Sequence, residues 1–279
     1  MTLSSLKTLA LLTVAATALS LGACKDTGEK MAAQAVAPTP AKVLAAVIAN
    51  PVRAEAAVRD GARHPAATLD FFGLTPDMSV IEIWPGGGYY ADILYPYLQE
   101  FGGKYIAGGY PESSERRIAA NAKFIADRPN AALIPFAKGS SLVTEGGVDM
   151  VLTFRNVHNW MGGEYSEDAF GQFYAALKPG GHLGLVEHRL PATAEQDPRG
   201  STGYVQQAYV IKLAAEAGFT LVKSSEINAN PKDVADHPMG VWTLPPTLKN
   251  PDDNAGFDKA VYEAIGESDR MTLLFVKPK

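Results

Sequence analysis

The sequence is poor in two features that would narrow its class at once, cysteine and excess positive charge. Its single cysteine, Cys24, excludes a disulfide within one chain. Its 25 basic and 30 acidic side chains give a formal net charge of −5, which argues against a nucleic-acid partner. No internal repeat is visible. The length suits one domain with a full core, or one domain with an insertion.

Residues 1–23 have the pattern of a bacterial export signal. The only charge is Lys7, and the apolar run TLALLTVAATALS that follows is short for a membrane span. The run ends in LGAC, which resembles the lipobox of bacterial lipoproteins, where signal peptidase cuts before the cysteine and the thiol is lipidated. We therefore expect a membrane-anchored lipoprotein that begins at Cys24 and faces the periplasm. An ordinary secretory signal with a chance cysteine is the alternative.

Residues 24–40 are predicted to be a lipidated tether, because they lack hydrophobic periodicity and end in two closely spaced prolines. Lys25 follows the cysteine, and the absence of an aspartate there slightly favours the outer membrane. Without Lys7 the mature chain keeps 24 of the 25 basic side chains against 30 acidic ones, a net charge of −6. The folded domain is then expected to span residues 41–279.

Helix and strand signals alternate along this domain. Three helical stretches, AKVLAAVIAN, VRAEAAVRDGAR and PAATLDFF, form an N-terminal cap, and seven strand signals follow. Regular alternation predicts a parallel sheet with helices on both faces, while the seventh strand has no helix before it and is free to pair antiparallel. Residues 228–268 interrupt the last connection and are rich in proline and aromatic residues. We expect this insertion to be a lid or a binding surface.

Three segments carry a family resemblance: VIEIWPGGGYYADIL (80–94), VDMVLTFRNVHNW (148–160) and ALKPGGHLGLVEHR (176–189). In their order and spacing the chain resembles, from about residue 60 to 279, the class I S-adenosylmethionine-dependent methyltransferases. The resemblance implies a Rossmann-like, seven-stranded sheet in the order 3-2-1-4-5-7-6, with the last strand antiparallel. It also implies transfer of a methyl group from S-adenosylmethionine to a small-molecule acceptor.

The first of these segments supplies the predicted cofactor contacts. Gly86, Gly87 and Gly88 let a ligand approach the backbone, since no Cβ stands in the way. The helix that begins near Tyr89 presents free N–H groups and a partial positive charge to a carboxylate. Glu82, at the end of the first strand, is expected to accept hydrogen bonds from the ammonium group.

The sequence departs from the family pattern at three places. Trp84 stands where the pattern has its first glycine, and strand alternation places it with Glu82 in the pocket; packing between sheet and helix is the alternative. The acid expected for the ribose hydroxyls after the second strand is missing, and Glu112 is a late substitute. Ser140 or Ser141 is the candidate for the adenine, because no acid follows the third strand.

Catalytic candidates follow the fourth and fifth strands, which would be neighbours in the sheet. These candidates are Asn156, His158 and His188. A histidine there could take a proton from a hydroxyl or amine nucleophile. Together with Glu187 the two histidines could instead bind a divalent metal, or be hydrogen-bonded loop side chains. A non-catalytic binding protein that kept the pocket is the competing function.

Overall fold

The computed structural model describes residues 38–251 and 254–279, and its centre is a mixed β-sheet. The strands are β1 (Ser79–Ile83), β2 (Lys104–Gly109), β3 (Ala132–Pro135), β4 (Val148–Phe154), β5 (Leu177–Leu190), β6 (Val205–Gln206), β7 (Thr220–Ser225) and β8 (Arg270–Val276). Their order is β3-β2-β1-β4-β5-β8-β7, and the short β6 pairs with the end of β5. Only β8 runs antiparallel to its neighbours among these pairings. The predicted fold class and strand order are confirmed.

The described helices cover both faces of the sheet. They are α1 (Pro40–Ile48), α2 (Ala54–Ala57), α3 (Asp60–Arg63), α4 (Pro65–Phe71), α5 (Ala91–Glu100), α6 (Glu115–Ala126), α7 (Val157–Gly162), α8 (Ser166–Ala176), α9 (Gln207–Glu216) and α10 (Lys259–Ile265). Short 3₁₀ turns occupy Pro51–Arg53 and Gly240–Thr243. The second predicted helix is wrong as a continuous element. Its backbone tightens at Arg59, whose N–H bonds the carbonyl of Ala56 three residues earlier.

Two apolar clusters, one on each face, hold the sheet between its helices. On β1, Ile81 and Ile83 belong to one cluster, and Val80 belongs to the other with Leu94 of α5. Both faces of this central strand are therefore buried, as a strand inside a parallel sheet requires. The packing fixes the level at which β1 and its neighbours end, and that edge carries the site.

Glu267 joins the N-terminal helices to the far end of the chain. Its carboxylate lies 2.6 Å from Nε of Arg59, 3.1 Å from Nε of Arg63 and 3.0 Å from Nη1 of Arg270. Glu267 is only 9 % exposed, so these ion pairs are shielded from water. They hold the N-terminal helices and the segment before β8 together at the carboxyl edge of the sheet.

The predicted signal peptide, the lipidation site Cys24 and the tether up to residue 37 lie outside the described residues. Among the residues that the structure does describe, no helix combines the length and the apolar character needed to cross a membrane.

Candidate functional site

A cavity of about 590 Å³ lies at the carboxyl ends of β1 and β4. Open α/β sheets bind their ligands at this edge. The glycine-rich loop, the loops after β2 and β4, the end of β5, the N-terminal helices and the insertion all contribute to its wall. The cavity wall includes Arg59, Arg63, Glu82, Trp84, Gly86, Gly87, Tyr89, Arg155, Asn156, His158, His188 and Trp242.

The glycine loop opens onto this cavity at two of its three glycines. A Cβ on Gly87 would meet nothing within 4 Å, and one on Gly86 would meet only the carbonyl of Trp84 at 3.9 Å. Gly88 is buried, and a Cβ there would lie 3.2 Å from Nη2 of Arg128. Gly86 and Gly87 are therefore free to approach a ligand. All three glycines also line a neighbouring cavity of about 690 Å³, which is the one that Gly88 contacts.

Glu82 is a buried acid at the edge of the cavity. It is 2 % exposed and accepts a hydrogen bond of 2.7 Å from the hydroxyl of Tyr105. Burial raises the pKa of Glu82 to about 7, and the Tyr105 hydrogen bond and the charge of Arg128 offset only part of that rise. Because burial disfavours the ionised form of Glu82, a bound cation would stabilise that form. Glu82 therefore suits an ammonium group.

Trp84 lines the same cavity as Glu82, as predicted, but its indole also packs on the face of β1 that carries Ile81 and Ile83. Its φ of 45° is left-handed, which reverses the direction that strand alternation would give the side chain. The indole packs against the cluster of Ile81 and Ile83. Its ring stacks on Tyr110 at 5.2 Å, and its N–H donates to the carbonyl of Phe136 at 3.2 Å.

The position of Trp84 matters because Tyr110 follows β2 and Phe136 follows β3. The resemblance places the ribose and the adenine of the cofactor near the ends of these two strands. The half-buried indole fills that space and still presents part of its surface to the cavity. Both alternatives for Trp84 therefore hold in part, since it packs and also lines the cavity.

The two substitutes predicted for the adenosine contacts lie elsewhere. Glu112 is exposed and does not line the cavity. The Ser140 hydroxyl lies 2.9 Å from the backbone N of Ala137, 2.9 Å from its carbonyl and 2.9 Å from Oε1 of Gln172. These local bonds leave Ser140 as a turn residue of the loop after β3, outside the cavity wall.

Glu187 and His158 form a buried pair beside the cavity. Glu187 is 0 % exposed, and its Oε1 lies 3.2 Å from Nδ1 of His158. The same carboxylate accepts the backbone N–H of Val157 at 2.5 Å and that of His188 at 2.8 Å. Val157 is the first residue of α7, so the negative charge also caps a helix N-terminus. Glu187 thereby fixes the imidazole ring of His158.

His188 and Asn156 are held by other partners. Nδ1 of His188 bonds the hydroxyl of Ser268. Burial, followed by the charges of His158, Arg155 and Arg270, holds the pKa of His188 well below its usual value, so this ring is neutral near pH 7. The Asn156 amide donates to the carbonyl of Ile83 at 3.0 Å and to Oγ1 of Thr153 at 3.3 Å. Asn156 thus ties the end of β1 to β4.

His158, Glu187 and His188 offer ligand atoms within 4.8 Å of one another, a spacing that a metal site would need. Both oxygens of Glu187 already accept hydrogen bonds, however, and the guanidinium groups of Arg155 and Arg270 act on the neighbouring His188. Positive charge beside His188 opposes the binding of a divalent cation. The arrangement is better suited to a carboxylate-oriented histidine than to a metal.

The sequence places Arg155 at the end of the fourth strand and allows Arg63 to reach the site from the N-terminal helices, but sequence reasoning assigned no ligand to either and missed Arg59. Arg59 and Arg63 come from the N-terminal helices and Arg155 from the loop after β4. The spacing of Arg59 and Arg63, four residues apart in a predicted helix, places both on one face and was the available signal. Trp242 of the insertion was also missed, and its ring lies 5.9 Å from that of His158.

No protein-family model and no curated protein matches this sequence. Solved structures match its fold. A SAM dependent methyltransferase from Aquifex aeolicus is 14% identical with a TM-score of 0.52, covering 86% of this chain and 99% of that chain. The fold is that of the class I methyltransferases.

Two further neighbours show how widely this fold is used. The [4+2]-cyclase SpnF is 15% identical with a TM-score of 0.53, covering 87% of this chain and 97% of that chain. Phosphoethanolamine N-methyltransferase 2 of Haemonchus contortus, solved with S-adenosyl-L-methionine, is 14% identical with a TM-score of 0.50, covering 78% of this chain and 53% of that chain. Because a cyclase is among the neighbours, the methyltransferase fold alone does not fix the reaction.

Proposed function

We propose that the protein transfers a methyl group from S-adenosylmethionine to a small-molecule acceptor. The observation that carries this proposal is the placement of His158, fixed by Glu187, on the same cavity as the open glycines Gly86 and Gly87. A base and a ligand loop thus meet at the edge where this fold binds ligands. The methyltransferases among the structural neighbours support the same reaction.

The residues fit the amino-acid end of the cofactor. Glu82 would hold the ammonium group, and Gly86 and Gly87 allow the carboxylate to approach the start of α5. Bound there, the cofactor would supply an electrophilic methyl carbon. The adenosyl end lacks the contacts that the resemblance implies, because Trp84 fills the space between the ends of β2 and β3. The ribose and adenine would therefore have to lie over the cavity side of the indole.

His158 is the proposed general base. With Nδ1–H donated to Glu187, the free lone pair of the ring is on Nε2. That nitrogen would take the proton from the hydroxyl or amine of the acceptor. The ring of Trp242 lies edge-on to that of His158, with the centroids 5.9 Å apart. The remaining contribution of the protein is alignment of the nucleophile.

A ligand-binding protein that performs no methyl transfer is the second candidate. The observation in its favour is Trp84, which occupies space that the resemblance assigns to the cofactor. Such a protein would keep the cavity and its polar groups for another molecule.

The cellular placement belongs to the same proposal. Lipidation of Cys24 would anchor the domain to a bacterial membrane, facing the periplasm, through the tether of residues 24–40. The net charge of −5 supports a small-molecule partner rather than nucleic acid. Methyl transfer in that compartment requires a supply of the cofactor there.

Calorimetric titration of the purified protein with S-adenosylmethionine, and separately with its demethylated product, tests the methyl-transfer proposal. We expect saturable binding of both and its loss in Glu82→Ala, whose circular dichroism should match the wild type. Glu145→Ala, which changes an exposed acid away from the cavity, is the control and should bind normally. Absence of binding by the wild type would reject methyl transfer and leave the second candidate.

A further inference from the structure

Four arginine side chains lie on or just behind the cavity wall, whose acids are Glu55, Glu82 and Asp92. Arg59, Arg63 and Arg155 line it, and Arg270 lies close behind them. Glu267 is the acid that pairs with Arg59, Arg63 and Arg270. One carboxylate therefore forms ion pairs with three guanidinium groups, and the guanidinium of Arg155 lies beside them.

Several donors of these arginines have no partner within the described part of the chain. Nη2 of Arg59 and Nη2 of Arg63 are buried and donate no hydrogen bond to any group in it, and Arg63 as a whole is only 2 % exposed. Arg155 makes no side-chain hydrogen bond or ion pair with residues 38–251 or 254–279. Buried donors of a charged group are costly to leave unpaired, so they indicate a missing acceptor.

Arg155 is the most informative member of this group. It follows β4 directly and has a left-handed φ of 62°, a strained conformation for a residue other than glycine. Burial and the neighbouring charges of Arg270 and Arg59 lower the pKa of Arg155 to about 10. The fold thus holds the Arg155 cation where burial and neighbouring positive charges disfavour it. A bound anion would offset the cost of burial and the charge repulsion.

The charged neighbours of Arg155 differ from those of the acid proposed for the cofactor. The charged groups that act on Arg155 include Glu267 and Glu187, and the charge of Arg155 acts in turn on His188. The charged groups that act on Glu82 are Arg128 and Asp92, on the glycine-loop side. Arg155 therefore lies on the side of His188, while the guanidinium of Arg63 lies over the ring of Tyr89, 4.5 Å from its centroid and next to the glycine loop.

We infer that the molecule acted on at this site carries an anionic group, a phosphate or a carboxylate, which Arg155 binds together with Arg59 and Arg63. This inference rests on the proposed function only in naming that molecule the methyl acceptor. The anionic group anchors one end of the acceptor at the arginines and leaves its nucleophile near Nε2 of His158. A guanidinium group forms paired hydrogen bonds with either anion.

Binding of two simple anions tests the inference. Inorganic phosphate and acetate are titrated separately into the purified protein at constant ionic strength set with chloride, and melting temperature and heat are recorded. We expect at least one of them to bind and to raise the melting temperature. The stronger of the two distinguishes a phosphate from a carboxylate substrate.

Arg155→Gln is the decisive variant, because its two effects have opposite signs. Loss of a partly buried charge without an ion-pair partner should raise the melting temperature of the free protein, while the affinity for the anion falls roughly tenfold or more. Arg116→Gln changes an exposed arginine outside the cavity and should alter neither quantity. An equal anion response in all three proteins, or none in the wild type, would overturn the inference.

A further titration separates this inference from the proposed function. Anion affinity is measured again with the demethylated cofactor at saturation. Unchanged affinity supports an acceptor site, whereas full competition would mean that the arginines hold the carboxylate of the cofactor and would overturn the assignment. Where the demethylated cofactor does not bind but phosphate does, through Arg155, methyl transfer fails and the anion site stands.

Discussion

Glu187 Oε1 lies 3.2 Å from Nδ1 of His158, while both oxygens of this fully buried carboxylate also accept backbone N–H groups. One side chain from β5 thus orients the proposed base, caps α7 and fixes the end of its own strand. This arrangement explains why a buried acid is tolerated, since its hydrogen bonds to N–H donors and the imidazole offset the cost of desolvation.

Glu187→Gln should destabilise the protein by about 1–3 kcal/mol. The amide has one acceptor oxygen where three donors now converge, and its NH₂ group would face a backbone N–H or the ring of His158. Urea denaturation measures the loss. Glu226→Gln, which alters an exposed partner of Arg189, is the comparison and should change the free energy of unfolding little. Equal stability of both variants would contradict the role assigned to Glu187.

Glu82 should make stability depend on pH. Its pKa is about 7 in the folded protein and 4.5 in the ordinary case, so the unfolded chain releases the proton first as pH rises. The contribution of Glu82 to the free energy of unfolding is fully present below about pH 4.5. It is lost as the pH rises through 7, by about 3 kcal/mol in all.

Glu82→Gln removes this ionisation and gives the comparison. Wild type and variant should have similar free energies of unfolding near pH 4.5, and the variant should be the more stable at pH 8. Denaturant titrations across this range measure the difference between them. A constant difference at all pH values would show that Glu82 ionises normally in the folded protein.

Trp84→Gly should open the space between Tyr110 and Phe136. We expect a loss of about 2–3 kcal/mol, because removal of a packed indole outweighs the relief of a left-handed φ by glycine. If that space can accept an adenine, affinity for S-adenosylmethionine should rise several-fold. Trp84→Phe keeps an aromatic ring, loses the N–H bond to Phe136 and should leave the affinity close to the wild-type value. Equal affinities for the cofactor in all three proteins would mean that Trp84 is structural only.

Glu267→Ala should release the N-terminal helices from the rest of the domain. Without this carboxylate, Arg59, Arg63 and Arg270 repel one another in a buried setting, at a cost of about 3–5 kcal/mol. Hydrogen exchange followed by mass spectrometry should show faster exchange in residues 51–64 than in β1. Uniform protection in both segments would argue that apolar contacts alone hold the cap.

Cys24→Ser tests the anchor. LGAC predicts that the wild type incorporates labelled fatty acid and sediments with membranes, and that the variant does neither. Membrane attachment that persists in Cys24→Ser, with no lipid on the wild type, would remove the lipoprotein prediction. Lys25→Asp is a companion variant, expected to keep the lipid while shifting the protein towards the inner membrane.

The sequence by itself determined the architecture. Apolar runs such as MSVIEIW and GGHLGLVEHRL predict strands buried on both faces, and the glycine segments mark the turns between strands and helices. These signals depend only on neighbouring residues, so they can be recognised in a single sequence. They also placed Glu82, His158 and His188 at one edge, because parallel strands end together.

Tertiary structure alone decided what those residues contact. The direction of Trp84 depends on one left-handed backbone angle, which reverses the alternation of β1. The arginines meet because the N-terminal helices dock on Glu267, more than two hundred residues away in sequence. Ion pairs between distant segments leave no periodic signal, since either partner alone is an ordinary charged residue. The charge of the cavity could therefore be recognised only after folding brought its members together.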